Sequence, residues 1–384
     1  MTRRERLLAT LRGQKVDRPA VSFYEIGGFV VYPADPDPYN IYNAPDWRPL
    51  LQLAEERTDL IRMLSPVRAR SHDPAGSATS AVWREFFHEE TREEHDCRVT
   101  RTTVRVAGRT LTQTTKRERE LDTVWTTEPL LKDTDDIRAF LQIPDAAFAE
   151  TVDVAPLLAA ETALGDRGLV MVDTEDPLCA AAALFSLENY TVLALTEQEL
   201  FHQLLEKFAR RIHARTEQVS RQFPGRLWRI YGPEYASAPY LPPELFREYV
   251  VRYTGPMVRA IQAHGGFARI HSHGRLRGIL GHIATLNADA LDPLEPPPHG
   301  DMELAEVRER VGRQMVLFGN LEISDIELLP PDAFAEKVRR ALDEGTRGAG
   351  RGFVLMPSAS PYGRTISART IQNYETMVRL VEGW

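Results

Sequence analysis

Eight short apolar runs, rich in β-branched residues, recur along the chain, and most are followed by a stretch in which apolar positions return every three to four residues. The runs are Pro19–Tyr24, Asp59–Leu64, Leu169–Asp173, Leu227–Tyr231, Phe267–Ile270, Ala288–Pro293, Gln314–Gly319 and Gly352–Met356. Helical periodicity fills Glu197–Gln222, Pro243–His264, Leu276–Leu286, Asp301–Val311, Pro331–Glu344 and Ser367–Val381. Strands that are apolar throughout need cover on both faces, which a parallel sheet wrapped in helices provides. The pattern predicts an α/β fold, a (β/α)8 TIM barrel. An open doubly wound sheet competes, but no glycine-rich phosphate turn follows the first run.

The second and third runs are separated by about a hundred residues, far more than a loop needs. Within that span Cys97–Val106 alternates with period two, Ala107-Gly108 turns the chain, and Thr110–Thr115 follows, the signature of a hairpin. Leu121–Thr127 reads as a third strand and Thr134–Leu141 as a short helix. The expected organisation is one barrel domain over residues 1–384, with residues 66–150 forming an antiparallel cap inserted between strands 2 and 3.

Charge and composition narrow the partners. With 47 basic and 55 acidic side chains the net charge is -8, and no long block of one sign occurs. This argues against nucleic acid or a membrane surface as partner. No run approaches the roughly 18 apolar residues of a membrane span, and Thr2-Arg3-Arg4-Glu5-Arg6 is followed by no signal-peptide core. The expected location is cytoplasmic. Cys97 and Cys179 are the only cysteines, so any metal would be held mainly by nitrogen and oxygen.

Active sites of such barrels lie at the carboxyl ends of the strands. At or just past the ends of the runs stand Glu25, Ser65, Asp173 and Glu175, Glu234, His271 and His273, Asp292 and Glu295, Asn320 and Glu322, and Ser358 and Ser360. His271 and His273 are two apart on a strand and so share a side. Glu295 ends the neighbouring run and is held by Pro296-Pro297-Pro298. His271, His273 and Glu295 form a candidate site for zinc or another divalent metal. The competing reading has one ring packed in the barrel, the other orienting substrate, and Glu295 paired with Arg275 or Arg277. The stiff loop Gly232–Tyr240 presents Glu234 as an acid, base or fourth ligand, or else as a surface carboxylate on a packed loop. Glu25 and Asp292 complete the candidate catalytic carboxylates, and Tyr235, Ser237, Asn320 and Ser358 the candidate substrate contacts.

The segment from Arg3 to Gly13, Asp17-Arg18-Pro19, the turn His271-Ser272-His273-Gly274, Gly300-Asp301 and Gly319-Asn320 together resemble the uroporphyrinogen decarboxylase superfamily over nearly the whole chain. The resemblance implies a (β/α)8 barrel, in agreement with the strand count. It also implies one of two activities: decarboxylation of a tetrapyrrole, or zinc-dependent methyl transfer between a corrinoid and an acceptor. The decarboxylases carry arginines after the first strand, where this chain has Glu25-Ile26-Gly27-Gly28-Phe29, an aspartate after the second, where Ser65-Pro66 stands, and a histidine after the eighth, where Ser358-Ala359-Ser360 falls. A carboxylate in place of cations repels a polyanionic substrate.

The methyltransferase branch fits more closely. Its zinc site is similar to an H-x-C pair at the fifth strand with a cysteine after the eighth, joined in cobalamin-independent methionine synthases by a glutamate after the sixth. Here His271 matches the histidine, His273 replaces the first cysteine, Glu295 suits the glutamate, and Ser358 or Ser360 falls at the last cysteine. Loss of thiolates leaves a harder ion, suited to an oxygen-bearing group rather than a thiol. The expected protein is a metal-dependent methyltransferase- or demethylase-like enzyme acting on an oxygen-bearing small molecule, with a corrinoid protein as candidate partner and a homodimer as candidate assembly. A decarboxylase (lyase) using Arg62, Arg68 or Arg275 for its carboxylates is the alternative, and a non-catalytic barrel that binds a corrinoid or small ligand is the third reading.

Overall fold

Every one of the eight apolar runs carries a strand. The computed structural model describes residues 1–23, 26, 37–66 and 81–384. In chain order the strands are β1 (Ala20–Val21), β2 (Leu60–Leu64), β3 (Phe87–Glu94), β4 (Cys97–Val106), β5 (Arg109–Glu118), β6 (Val124–Glu128), β7 (Gly168–Glu175), β8 (Leu227–Tyr231), β9 (Phe267–His271), β10 (Ala290–Asp292), β11 (Val316–Leu321) and β12 (Phe353–Pro357). Eight of them form one parallel sheet in the order β1-β12-β11-β10-β9-β8-β7-β2. From β2 onward each strand of this sheet lies beside its successor, β12 returns beside β1, and the two edges are the first two strands of the chain, the order of a TIM-barrel-like curl.

The basic opening segment joins those edges. Asp59 is fully buried; its amide donates to the Val21 carbonyl at 2.7 Å and its carboxylate accepts from the Val21 amide at 2.9 Å. Arg6 donates to the same carboxylate at 2.5 Å and Arg18 at 3.1 Å. The residues that carry the sequence resemblance at the N-terminus therefore fasten β1 to the start of β2. The helix Arg3–Leu11, opened by a Thr2 capping box, sends Leu7 and Leu11 into a cluster with Ile61, Met63, Met171, Leu227, Val316, Phe318 and Met356. This cluster fills the amino-terminal end of the curl.

Helices form where the periodicity places them: Gln198–Gln222, Leu280–Thr285, Leu304–Val311, Pro331–Thr346 and Ala368–Glu382. The stretch from Pro243 to Ala263 is helical but widens into a π-turn over Arg247–Val251 ahead of Pro256, as expected where a proline withholds its amide from the ladder.

Between β2 and β7 the predicted hairpin is present, and it is larger than the alternation indicates. β3-β4-β5-β6 form an antiparallel sheet. β3, Phe-His-Glu-Glu-Thr-Arg-Glu-Glu, has almost no apolar alternation and exposes nearly every side chain. It is held by full-length pairing with β4, in which Glu90 opposes Arg101 and Glu93 opposes Arg98. Its charges protect a free sheet edge. The other end of the sheet is apolar: Val104, Val106 and Leu111 join the main core with Leu130, Leu131 and Phe140. Among the described residues no helix is long and apolar enough to cross a membrane.

Candidate active site

Along each strand of the curled parallel sheet, alternate residues continue the inner row begun by the apolar cluster, and toward the carboxyl ends this row becomes ionic. In register, Asp173 of β7 lies beside Arg229 of β8, and Arg229 beside Arg269 of β9. Arg229 Nε is 2.7 Å from Asp173 Oδ1, and Arg269 Nε is 3.0 Å from Asp292 Oδ1, with both side chains 0% exposed. The Arg269 guanidinium also lies over the Phe318 ring, 4.8 Å from its centroid. One step further along, Tyr231, His271 and Asp292 stand side by side across β8, β9 and β10.

His271 is buried, and its Nδ1 is 2.7 Å from Asp292 Oδ2. Burial pushes the ring down to about 3, so it is neutral; its Nδ1–H donates to the carboxylate and its Nε2 lone pair is left for other work. Burial alone would raise Asp292; Arg269 foremost outweighs it and holds the carboxyl down at about 2. His273 repeats the arrangement. Its Nδ1 is 2.9 Å from Glu295 Oε1, with its side chain 36% exposed. The second Glu295 oxygen accepts from the Gly274 amide at 2.5 Å. Burial again works against ionisation of Glu295, and the His273 hydrogen bond leads the interactions that lower its pKa. The two rings meet edge to face with centroids 4.6 Å apart.

The structure thus brings His271, His273, Asp292 and Glu295 together as two carboxylate–imidazole pairs. Glu295 accepts from the His273 ring instead of pairing with Arg277, which pairs with Glu306 at 2.6 Å. Anchoring Nδ1 on a carboxylate is how metal-ligating histidines are usually oriented, and both rings are anchored in this way. Glu295, with both oxygens engaged, is placed as a support to that pair. Among the described residues no group of three or more His, Cys, Asp or Glu is arranged to hold a metal ion.

Glu234 sits in a tight turn, Pro233–Ala236, where its Oε2 accepts from the Gly232 amide at 3.0 Å. Burial raises its pKa, with His273 close enough to oppose the shift. It is a half-buried carboxyl beside the histidine pair whose protonated form burial favours, rather than a surface charge. Ser237 donates to the Glu234 carbonyl at 2.7 Å and so fixes this turn, and the Tyr235 carbonyl accepts from the Tyr190 hydroxyl at 2.7 Å. Ser358 donates to Glu322 Oε2 at 3.1 Å and accepts from the Ile323 amide at 3.2 Å. Asn320 is buried on the inner row of β11. Glu25 and Arg68 lie outside the described residues, and Arg62 pairs with Glu55.

Sequence reasoning passed over Arg229 and Arg269 as members of the site, although an arginine inside an apolar strand that needs cover on both faces was the signal. It also passed over Asp176, which accepts from the Cys179 amide at 2.7 Å and from the Thr254 hydroxyl at 3.1 Å. Gly232 makes that packing feasible. Its φ is +116°, and a Cβ there would lie 2.3 Å from Cys179 Cβ and 2.5 Å from Asp176 Oδ1. Gly232→Ala is therefore expected to cost about 2–3 kcal/mol of stability, read as a lower midpoint in urea unfolding. An unchanged midpoint would show that the turn carrying Glu234 yields freely.

The uroporphyrinogen decarboxylase (URO-D) family model matches residues 108–384. The chain belongs to the uroporphyrinogen decarboxylase family. No curated protein matches the sequence. Among solved structures, a methyltransferase from Methanosarcina mazei is similar with a TM-score of 0.59 at 16% identity, the match covering 100% of this chain and 99% of that one. A Bacillus subtilis mannanase gives a TM-score of 0.40 at 9% identity, covering 96% and 88%.

Proposed function

We propose that this chain is a methyltransferase- or demethylase-like member of its family, one closed (β/α)8 barrel with residues 66–150 as its cap, acting on an oxygen-bearing small molecule such as a methyl ether. The observation that carries the reading is the pair of imidazoles at the end of β9, 4.6 Å apart, each anchored on a carboxylate at or past the end of β10. The likeness in fold to a methyltransferase supports it, as does the replacement by Glu25, Ser65 and Ser358 of the groups that the resemblance assigns to the tetrapyrrole decarboxylases. A divalent ion, zinc by its ligand chemistry, held by the Nε2 atoms of His271 and His273 with Glu295 fixing the second ring, would supply positive charge for the substrate oxygen. Arg269 keeps Asp292 ionised, and Asp292 keeps His271 in the tautomer that presents Nε2. When the carbon–oxygen bond breaks and the methyl group passes to the acceptor, proposed to be a corrinoid protein, Glu234 delivers its proton to the leaving oxygen.

Metal analysis of untagged protein tests this. About one equivalent of metal is expected in the wild type, little in His273→Ala, and about 10–100-fold weaker binding in Asp292→Asn, where the support for His271 is lost. Wild-type protein without metal, or His273→Ala with undiminished metal, would refute the metal assignment. Decarboxylation of a carboxylated substrate is the second reading, favoured by the family itself; release of carbon dioxide from a porphyrinogen would establish it over methyl transfer.

A further inference from the structure

A cavity of about 370 Å³ lies between the inserted sheet and the carboxyl ends of β7 and β8. Its walls are unusually aromatic. Trp83 and Phe87 stack with centroids 5.0 Å apart and planes 7° apart; Phe148 meets Phe87 edge to face at 5.9 Å and Phe208 at 6.4 Å. Polar groups flank the rings on two sides: Glu175 with its partner Arg211, 3.2 Å away, and Tyr231 at the strand ends, and Glu89, Thr102 and Gln113 on the inserted sheet. A mainly apolar cavity with a few convergent polar groups is the usual form of a small-molecule site. Faces and edges of fixed rings select a further ring, because offset and edge-to-face packing adds to the burial of area.

The cavity adjoins the histidine pair. Tyr231, one of its walls, lies beside His271 in the β8–β9 register, and neighbouring strands are about 4.8 Å apart. We propose that this cavity seats the aromatic ring of the substrate, so that the substrate is a small aryl compound of one or two rings whose oxygen substituent points toward His271. The inserted sheet then serves as the specificity element of the barrel. The proposal rests on the reading of an oxygen-bearing substrate given above, and binding can be measured apart from turnover.

The probes are 4-methoxyphenol and the saturated methoxycyclohexane, each titrated into the full chain by ligand-observed NMR. The aromatic probe is expected to bind about tenfold more tightly. Ala183 is exposed at the cavity wall, and Ala183→Phe fills the space without removing a core contact. It is expected to weaken 4-methoxyphenol by about tenfold or more at unchanged melting temperature. Phe148→Leu, which keeps bulk and removes a ring, is expected to narrow the preference between the probes. Equal affinity for both probes, or an Ala183→Phe protein that folds and binds 4-methoxyphenol as the wild type does, overturns the proposal. Aromatic-selective binding lost in Ala183→Phe, with no demethylation under any acceptor, would uphold the pocket and refute the methyl-transfer reading instead. Demethylation of both probes at equal rate and affinity would do the reverse.

Discussion

Arg269→Met is expected to lower the unfolding free energy by about 3–5 kcal/mol, because it leaves the buried Asp292 carboxylate without its main counter-charge. Arg269 and Asp292 are both inaccessible to solvent and 3.0 Å apart, so water cannot take over the role of the guanidinium. His271, its neutral hydrogen-bond partner, offers no charge, and Arg229, which also favours the carboxylate, is engaged by Asp173. The sign of the pH dependence follows. Without Arg269, burial would dominate and raise the folded-state pKa of Asp292 above its unfolded value. The deficit of the variant should then be small only below about pH 2, where Asp292 is protonated in both folded proteins, and should grow as pH rises, first as the wild-type carboxylate ionises and then up to the raised folded-state value of the variant. Urea unfolding of wild type and Arg269→Met across this range gives the difference directly. The double variant Arg269→Met/Asp292→Leu removes both charges and should regain most of the loss. A single variant as stable as the wild type at pH 7 would mean that Asp292 is already neutral in the fold.

The consequence reaches the site. Asp292 faces Arg269 with one oxygen and His271 with the other, so the charge that stabilises the interior of the curled sheet also fixes which nitrogen of His271 carries the proton. Structure and chemistry are coupled at a single carboxylate. His273 is supported separately, by Glu295 and through it the Gly274 amide. The more exposed ring is thus held by a loop and the buried one by the parallel sheet.

Much of this was legible in the sequence because the strands are short, apolar and bounded by polar residues that fall at one end. The apolar run ending at Ile270 locates β9, and the i, i+2 spacing puts His271 and His273 together. The pairing of each ring with its own carboxylate was not legible, since it depends on the register that sets Asp292 opposite His271, and register is a property of two strands. β3 was hidden for a different reason. Its charges give it no amphipathic period, and it is a strand only because β4 supplies eight successive partners. The aromatic cavity draws Trp83, Phe87, Phe148 and Phe208 from separate elements, so no local pattern announces it. Its formation depends on how the inserted sheet is laid against the helix Gln198–Gln222.

Asp176→Asn is expected to stabilise the protein at neutral and mildly alkaline pH. Asp176 is fully buried, and that burial, assisted by the nearby Glu234, pushes its pKa up to about 8. A carboxyl whose folded-state pKa is raised contributes its stability fully below the unfolded value near 4, and loses it progressively as pH rises toward 8. Asparagine retains both contacts: its oxygen can accept from the Cys179 amide, and its amide can donate to the Thr254 hydroxyl, which now donates to Asp176 at 3.1 Å. It never ionises. The stability difference between variant and wild type should therefore grow by about 1.4 kcal/mol per pH unit between pH 5 and 8, reaching about 4 kcal/mol as an upper bound if no water enters. It should level off above that. Comparing the two proteins at each pH cancels the titration of every other carboxylate, which would otherwise bend the curve the opposite way in acid. A constant deficit in Asp176→Asn, independent of pH, would mean that Asp176 is ionised in the folded protein and that its negative charge, not its shape, caps the helix Pro177–Ala182.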